Sequence, residues 1–125
     1  MPTPATTPNP NSTTASPTTT TLDRLLDGRV ILEQPTQGFR AAIDAVLLAA
    51  SVDAPDGSRV LDAGAGTGAA ALCLVRRRPD FALVGLERDP QMAALARGNV
   101  ERNGVAERVG IETGDLLAPP SHLKV

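Results

Sequence analysis

Strand-like and helix-like apolar stretches alternate in the second half of the chain. Residues 59–62 predict a short strand. Residues 69–75 are all apolar and are followed by Pro79, which predicts a buried helix. The unbroken apolar run 81–86 is typical of a strand that is covered on both faces. This part of the sequence therefore predicts a strand, a helix and a second strand in succession.

A further helix and a third strand continue the alternation. Asp89 and Pro90 predict a helix start with an acidic N-cap and proline at the first helical position, and residues 103–104 (Asn-Gly) predict its end. The inner stripe of this helix is predicted to comprise Met92, Leu95, Ala96 and Val100. Residues 109–112 alternate in polarity and predict a strand. The order β-α-β-α-β predicts an α/β fold on a parallel sheet with right-handed crossovers.

Shorter elements are predicted upstream. Residues 22–26 are interpreted as a short helical turn, residues 30–32 as a short strand and residues 34–38 as a turn. A helix is then predicted from apolar residues at helical spacing, namely Ile43, Val46, Leu47 and Ala50. Because Leu48 and Ala49 widen this stripe, the helix is expected to be mostly buried.

The first 21 residues differ in composition from the rest. Residues 2–21 comprise nine Thr, five Pro, two Ser, two Asn and two Ala, with no charged residue. Such a segment has too little apolar surface to offset the cost of ordering, about 1–2 kcal/mol per residue. The predicted organisation is a disordered tail over residues 1–21 and one small folded unit over residues 22–125.

Charge and cysteine content exclude several classes of protein. The net charge of −2 gives no support to a broad nucleic-acid-binding surface, which normally shows as a surplus of basic residues. The single cysteine, Cys73, excludes an intrachain disulfide framework and a cysteine-cluster zinc site, and no metal is expected. Its apolar surroundings predict an inert buried thiol. Arg76, Arg77 and Arg78 could contact RNA phosphates, but the preferred interpretation is that they are cations at a helix C-terminus, where they offset the helix dipole. No apolar run approaches a membrane span of about 20 residues and no secretory signal is visible, so a soluble, cytoplasmic protein is expected.

A glycine-rich turn joins the strand at 59–62 to the buried helix. Gly64, Gly66 and Gly68 let the backbone approach a ligand, and the first N–H groups of a helix lack partners within it. This turn alone also fits the dinucleotide pattern, with Ala69 as its third small residue. Asp62, however, would repel a pyrophosphate by several tenths to a few kcal/mol, whereas it would attract the α-ammonium group of S-adenosylmethionine (SAM). The acid therefore favours SAM.

Two further acids follow the next strands. Glu87 can accept both ribose hydroxyls of NAD or SAM; the alternatives are a solvated acid or a partner for Arg88. Asp115 can accept from the adenine amino group while the Leu116 N–H donates to a ring nitrogen; the alternative is a turn-forming acid. Because open α/β sheets bind ligands at the carboxyl ends of their strands, the joint placement of Asp62, Glu87 and Asp115 strengthens each assignment.

The run Asp62-x-Gly64-x-Gly66-x-Gly68, the strand that ends at Glu87 and the Gly114-Asp115 turn resemble motifs I to III of class I SAM-dependent methyltransferases. Residues 99–109 resemble the segment after motif II in the methyltransferase small-domain group, and residues 22–48 resemble the N-terminal cap of bacterial tRNA adenine-N6 methyltransferases. The resemblance implies a Rossmann-like fold, SAM as cofactor and N6-methylation of adenine in tRNA as the parent activity.

The resemblance also assigns residues of the cap to the cofactor pocket. In that family the cap lies over SAM, which implies that Phe39 and Asp44 belong to the pocket. Taken alone, Asp44 is equally well explained as a helix N-cap, and one residue can serve both roles. The complete predicted cofactor-binding set is Phe39, Asp44, Asp62, Gly64, Ala65, Gly66, Glu87, Arg88, Asp115 and Leu116.

The family's catalytic motif is not found. This motif, Asn-Pro-Pro-Tyr or a close variant, follows the fourth strand, where its carbonyl groups accept from the target amine and its ring stacks on the flipped base. The one Pro-Pro pair of the chain, at 119–120, follows Asp115 with no strand between them, and it is flanked by Ala118 and Ser121. The chain is therefore interpreted as the cap and SAM-binding half of a truncated domain, with no catalytic residue assigned and no activity expected of the chain alone.

In a half-domain of this kind, the strand at 59–62 has no neighbouring strand on one side, because the fourth strand of the family's sheet is missing. An association that covers this edge is expected, and tRNA would be contacted through the missing half. Two alternatives stay open from the sequence: a nicotinamide-dinucleotide-binding oxidoreductase fragment, and an inactive methyltransferase remnant.

Overall fold

The computed structural model describes residues 19–38 and 40–123. It begins with an antiparallel hairpin, in which β1 (Thr20–Leu25) pairs with β2 (Val30–Pro35). The turn at residues 26–28 has left-handed backbone, with φ between 52° and 83°. The helical turn predicted over 22–26 is therefore wrong. A single turn of helix forms only one or two hydrogen bonds, and pairing along the whole of β2 outweighs it.

The remaining elements follow in the order α1 (Ile43–Ser51), β3 (Arg59–Ala63), α2 (Ala69–Arg77), β4 (Ala82–Glu87), α3 (Pro90–Arg102), β5 (Val109–Thr113) and a short 3-10 helix (Ser121–Leu123). The helices and strands predicted after residue 42 are thus confirmed, with bounds that shift by one or two residues. The helix start predicted at Asp89-Pro90 is also confirmed, since Asp89 is the N-cap and its Oδ1 accepts from the Gln91 N–H at 2.9 Å.

Strand β2 confirms the strand predicted at 30–32 but continues through Pro35. The turn predicted over 34–38 therefore begins too early. Gln34 is held in the strand because its Nε2 donates to the Ala41 carbonyl at 3.1 Å and its Oε1 accepts from the Ala41 N–H at 2.7 Å. The buried Gln34 side chain binds Ala41 through both its amide nitrogen and its amide oxygen. These bonds keep Gln34 in the strand although the local sequence indicates a turn.

The folded part also begins earlier than the sequence indicates. Strand β1 includes Thr20 and Thr21, which the prediction assigned to the tail. Thr20 Oγ1 donates to Glu33 Oε2 at 2.6 Å, so a polar side chain contributes to the pairing of the two strands. The rest of the predicted tail, residues 1–18, lies outside the described residues.

Helix α1 is less buried than predicted. Ala45 and Ala49 are buried, and through this face α1 packs against α2. Ile43 and Leu47, by contrast, are 66% and 62% exposed, so the expectation of a mostly buried helix is wrong. Two helices approach closely through small side chains, and Ile43 and Leu47 lie on the exposed side of α1.

Strands β3, β4 and β5 form a parallel sheet in that spatial order, with β4 in the centre. Asp62 lies opposite Gly85, and Glu87 lies opposite Thr113. The predicted β-α-β-α-β fold is therefore confirmed, and it has the Rossmann-like arrangement. Among the described residues, β4 is the strand neighbour of β3 on one side and no strand pairs on the other. All three carboxyl ends meet at one edge of the sheet.

The interior confirms the interpretation of Cys73. The thiol is buried, and this burial raises its pKa to about 11.

The three arginines that follow Cys73 in sequence, at 76–78, bind other groups of the chain. Arg76 Nη2 donates to the Asn103 carbonyl, Arg77 Nη2 donates to the Val52 carbonyl, and Arg78 pairs with Asp80. No helix of residues 19–38 and 40–123 combines the length and hydrophobicity needed to cross a membrane.

Candidate functional site

The glycine-rich turn after β3 is built from left-handed backbone. Gly64, Gly66 and Gly68 have φ of 75°, 57° and 88°, and Gly68 is the N-cap of α2. Residues with a Cβ adopt this region at a cost of about 1–2 kcal/mol each, so glycine at these three positions allows the chain to reverse between the strand and the helix. We refer to residues 64–68 as the glycine loop.

Strand β4 fixes the first half of the glycine loop. The Leu86 carbonyl accepts from the N–H groups of Gly64 and Ala65 at 2.8 and 3.0 Å, and Glu87 Oε1 accepts from the Gly66 N–H at 2.9 Å. These three N–H groups therefore bind the protein itself. A diphosphate in the cavity would not find them free, which argues against the dinucleotide alternative.

Two residues that support the loop were not found from the sequence. Gly85 lies in the middle of β4, where a Cβ would stand 2.8 Å from the Cβ of Ala65, so a larger residue would push the loop away. Asn99 of α3 is fully buried, and its Nδ2 donates to the Thr67 carbonyl at 3.0 Å. In the sequence, Asn99 shows only as a polar residue in the otherwise apolar inner stripe of α3. This pattern does not reveal that its partner is Thr67.

Asp62 lies next to the last residue of β3, beside the loop. Its Oδ2 is buried and has no hydrogen-bond partner among the described residues. Burial raises the pKa of Asp62, and the nearby charge of Glu87 raises it further. A charged group with a buried, unpartnered oxygen is costly, and a bound cation would offset its charge.

Glu87 ends β4 and holds two backbone groups in place. Oε1 binds the Gly66 N–H, and Oε2 accepts from the Asp89 N–H at 2.7 Å. Neither alternative from the sequence, a solvated acid or an ion pair with Arg88, describes this arrangement. Because each carboxylate oxygen has two lone pairs, Glu87 can accept further hydrogen bonds from a ligand while it holds the loop.

Asp115 follows β5 and shapes the turn after it. Its Oδ1 accepts from the Leu117 N–H at 2.9 Å, and its carbonyl accepts from the Ala118 N–H at 3.0 Å. The turn-forming role weighed from the sequence is therefore present. The same acid lines a cavity of about 310 Å³ together with Gly64, Glu87, Arg88 and Leu116, which were all predicted cofactor residues.

Asp44 is not the helix N-cap that its position indicated. Ala42 is the N-cap of α1, and Asp44 Oδ1 accepts from the Ala42 N–H at 2.8 Å from within the first turn. Asp44 lines a second cavity, of about 390 Å³, with Asp62, Glu87 and the glycine loop. Phe39, the other predicted cap residue, lies outside the described residues.

Four carboxylates line this second cavity, since Asp89 joins Asp44, Asp62 and Glu87. A cavity of this kind stabilises a cation and disfavours an anion. SAM carries an ammonium and a sulfonium group against one carboxylate, whereas a dinucleotide carries a diphosphate. The buried, unpartnered oxygen of Asp62 and the acidic lining thus fit SAM. In the described ranges no cluster of three or more His, Cys, Asp or Glu residues has the arrangement of a metal site.

Relatives of known activity match most of the described fold. The tRNA1(Val) (adenine(37)-N6)-methyltransferase of Porphyromonas gingivalis is 38% identical over 93 residues, which cover 71% of this chain and 36% of that protein. The release factor glutamine methyltransferase of Geobacter sulfurreducens is 41% identical over 66 residues, which cover 53% of this chain and 22% of that protein. The chain thus spans about a third or less of the length of these relatives.

Solved structures share the same architecture. P. horikoshii TYW2 in complex with MeSAdo superposes with a TM-score of 0.67 at 17% identity, over 81% of this chain and 38% of that chain, and at this identity the likeness concerns the fold alone. A SAM-dependent methyltransferase from Geobacter sulfurreducens in complex with S-adenosyl-L-homocysteine superposes with a TM-score of 0.52 at 29% identity, over 60% and 30% of the two chains.

The match to a protein family covers the site itself. The family described as "Methyltransferase domain" matches residues 60–124, which include the glycine loop, Asp62, Glu87 and Asp115. This match extends over more than half of the chain, and it agrees with the parallel sheet and with the relatives. The chain belongs to the class I SAM-dependent methyltransferases.

Proposed function

We propose that this chain forms the cofactor-binding part of a SAM-dependent methyltransferase that methylates N6 of adenine in tRNA. The observation that carries the cofactor assignment is the buried, unpartnered Oδ2 of Asp62 beside a cavity lined by four acids. The α-ammonium group of SAM would lie in this cavity near Asp62 and Asp44. When bound, SAM supplies an electrophilic methyl group on a sulfonium centre.

The nucleoside end of SAM would occupy the neighbouring cavity. Ala63, Gly64 and Glu87 line both cavities, so a single elongated ligand can extend from one into the other. In this arrangement Glu87 would accept from the ribose hydroxyls while it retains the glycine loop. Asp115 would accept from the adenine amino group, and the Leu116 N–H would donate to a ring nitrogen.

The acceptor is proposed from the relatives. The match to the tRNA methyltransferase covers 71% of the chain, so it necessarily includes helix α1, whereas the match to the release factor enzyme covers 53%. The longer match, which includes α1 and its Asp44, supports the tRNA enzyme as the guide to the acceptor. The chain contains no Asn-Pro-Pro-aromatic run, and we assign no catalytic residue in it.

Calorimetric titration tests the cofactor assignment. We expect the full chain to bind S-adenosylhomocysteine and not NADH. Asp44→Asn is expected to weaken this binding about three- to tenfold, because a charged partner of an ammonium group contributes more than a neutral one. Glu101→Gln, an exposed acid of α3 outside both cavities, serves as the charge-matched control and should leave the affinity unchanged. Binding of NADH without any response to S-adenosylhomocysteine would reject the proposal.

Two chimaeras test the acceptor. Residues 19–125 would replace the matching segment in the P. gingivalis tRNA methyltransferase and, separately, in the G. sulfurreducens release factor methyltransferase. If the cap and α1 belong to the tRNA type, the first chimaera should transfer labelled methyl groups to tRNA and the second should be inactive on its release factor. The reverse pattern, or inactivity of the first chimaera despite normal binding of S-adenosylhomocysteine, contradicts the acceptor assignment.

A further inference from the structure

Helix α3 and its C-cap residue, Asn103, hold the hairpin through two buried amide side chains. Asn103 Oδ1 accepts from the Ile31 N–H at 2.9 Å and its Nδ2 donates to the Ile31 carbonyl at 2.7 Å. Asn99 repeats this pattern on Glu33, at 2.7 Å from the N–H to Oδ1 and 3.0 Å from Nδ2 to the carbonyl. Residues four apart on a helix are separated by about 6 Å along its axis, and alternate residues of a strand are about 6.6 Å apart. The two amides therefore match the spacing of Ile31 and Glu33 along the edge of β2 that does not pair with β1.

Asn99 differs from Asn103 in the use of its second N–H. Asn103 donates it to the Asn99 carbonyl within the same helix, at 2.7 Å. Asn99 donates it to the carbonyl of Thr67, a buried residue of the glycine loop, at 3.0 Å. Both donors of the Asn99 amide are therefore used, one on the hairpin and one on the loop. A single side chain connects the two.

The loop carbonyl that Asn99 holds belongs to the proposed cofactor site. Thr67 lines the acid-lined cavity with Gly64 and Gly66. The bonds to Leu86 and Glu87 fix the loop from the side of β4, and the bond from Asn99 fixes it from the side of α3. If the hairpin leaves α3, the Asn99 amide loses its two bonds to Glu33 and keeps those to Thr67 and Arg102, so it is less firmly oriented and anchors the loop more weakly.

We propose that Asn99 is a positioning residue that couples docking of the β1–β2 hairpin to occupation of the cofactor site. This inference rests on the proposed function, because it concerns the ligand of that site. Since coupling between two equilibria is reciprocal, a docked hairpin strengthens binding of the cofactor and a bound cofactor strengthens docking of the hairpin.

Amide hydrogen exchange of the hairpin, with and without S-adenosylhomocysteine, tests the coupling in the full chain. A two-stranded hairpin is marginal in isolation, so undocking from α3 exposes the amides of β1 and β2 to exchange. We expect a saturating concentration of S-adenosylhomocysteine to slow their exchange about tenfold or more in the unaltered chain. If hairpin docking is independent of the site, local undocking continues at the same rate with the ligand bound.

Asn99→Ala and Asn103→Ala form a matched pair, because each removes one amide from the same strand edge. Only the first also frees the Thr67 carbonyl; it removes an acceptor of Arg102 Nη1 as well, but Arg102 Nη2 still pairs with Glu33. Asn103→Ala should keep the slowing by the ligand, whereas Asn99→Ala should abolish it. Asn99→Ala should also bind S-adenosylhomocysteine about three- to tenfold more weakly than Asn103→Ala does, as expected for one lost hydrogen bond. Equal behaviour of the two variants would overturn the inference.

The unaltered chain provides a decision even if neither variant folds. Binding of S-adenosylhomocysteine with no slowing of exchange in β1 and β2 overturns the coupling and leaves the proposed function intact. Failure of the unaltered chain to bind S-adenosylhomocysteine rejects both. Binding accompanied by slowed exchange in the hairpin supports the coupling.

Discussion

Replacement of Asp62 by asparagine is expected to stabilise the fold and to weaken the cofactor site. The carboxylate has a buried oxygen without a partner, and the charge of Glu87 adds repulsion. An unsatisfied buried polar group costs about 1–3 kcal/mol, and more when it is charged. Asparagine removes the charge but stays polar, so we expect it to recover about 1 kcal/mol of unfolding free energy. That corresponds to an increase in Tm of about 4–8 °C for a domain of this size.

The pH dependence of this effect has a definite sign. Because the pKa of Asp62 is raised in the folded chain, the folded state binds the proton more tightly than the unfolded state does. Stability therefore falls as the pH rises from the ordinary value of 3.8 through the raised value, and the whole cost is present above it. The advantage of Asp62→Asn should be largest at neutral pH and should vanish at or below the ordinary pKa of the group.

Thermal unfolding at several pH values, combined with titration of S-adenosylhomocysteine, measures both consequences. The variant should melt higher than the unaltered chain at neutral pH and bind the ligand about tenfold more weakly. Glu101→Gln removes an exposed charge of the same sign and should change neither quantity beyond about 0.5 kcal/mol. A lower Tm for Asp62→Asn at neutral pH would refute the reasoning, because it would mean that the carboxylate is compensated within the protein.

Three further substitutions, one of them a control, and one labelling reaction test the packing. Gly85→Ala should lower the free energy of unfolding by about 1–3 kcal/mol in a denaturant titration, because its Cβ would stand 2.8 Å from that of Ala65, whereas Gly110→Ala in the adjacent strand meets no atom within 4 Å and should be tolerated. Gly98→Ala, in α3 and likewise open, should raise the free energy of unfolding by about 0.5–1 kcal/mol in the same titration; a loss of stability would contradict the assigned helix. Cys73 should react with a thiol reagent only at the rate of unfolding, since its thiol is buried with a pKa of about 11; rapid labelling of the folded chain would show that the core is open.

The central sheet could be predicted because its signals are local and agree with one another. The apolar run of β4, the proline-limited helix α2 and the Asp89-Pro90 start of α3 each indicate one element type. The hairpin could not be predicted in the same way. Residues 22–26 have no clear period of their own, and their conformation depends on pairing with β2, which is a tertiary interaction.

For the site as well, some features could be predicted from the sequence and others could not. Placement of Asp62, Glu87 and Asp115 at one edge follows from parallel strands, so the sequence was sufficient to predict it. The internal partners of these groups were not predictable. Glu87 accepts from the Gly66 N–H across 21 residues of sequence, and Asn99 reaches Thr67 across 32. Such bonds depend on the relative position of two elements to within a fraction of an ångström, and no composition or spacing encodes that position.

In the proposed site, the hydrogen bonds that the loop N–H groups make within the protein would affect which ligand is selected. In a dinucleotide site the main chain of the glycine turn selects an anion. Here the N–H groups of Gly64, Ala65 and Gly66 donate to Leu86 and Glu87 of β4 and are not available to an anion. The side chains that line the cavity would then select the ligand, and four of them are acids. An acidic lining around a carboxylate with one buried, unpartnered oxygen is unfavourable for the empty protein, and proteins tolerate such a cost where function requires it. In the proposed site, the glycine loop would therefore provide shape and rigidity, while Asp62 and its neighbours would provide the preference for a cationic cofactor.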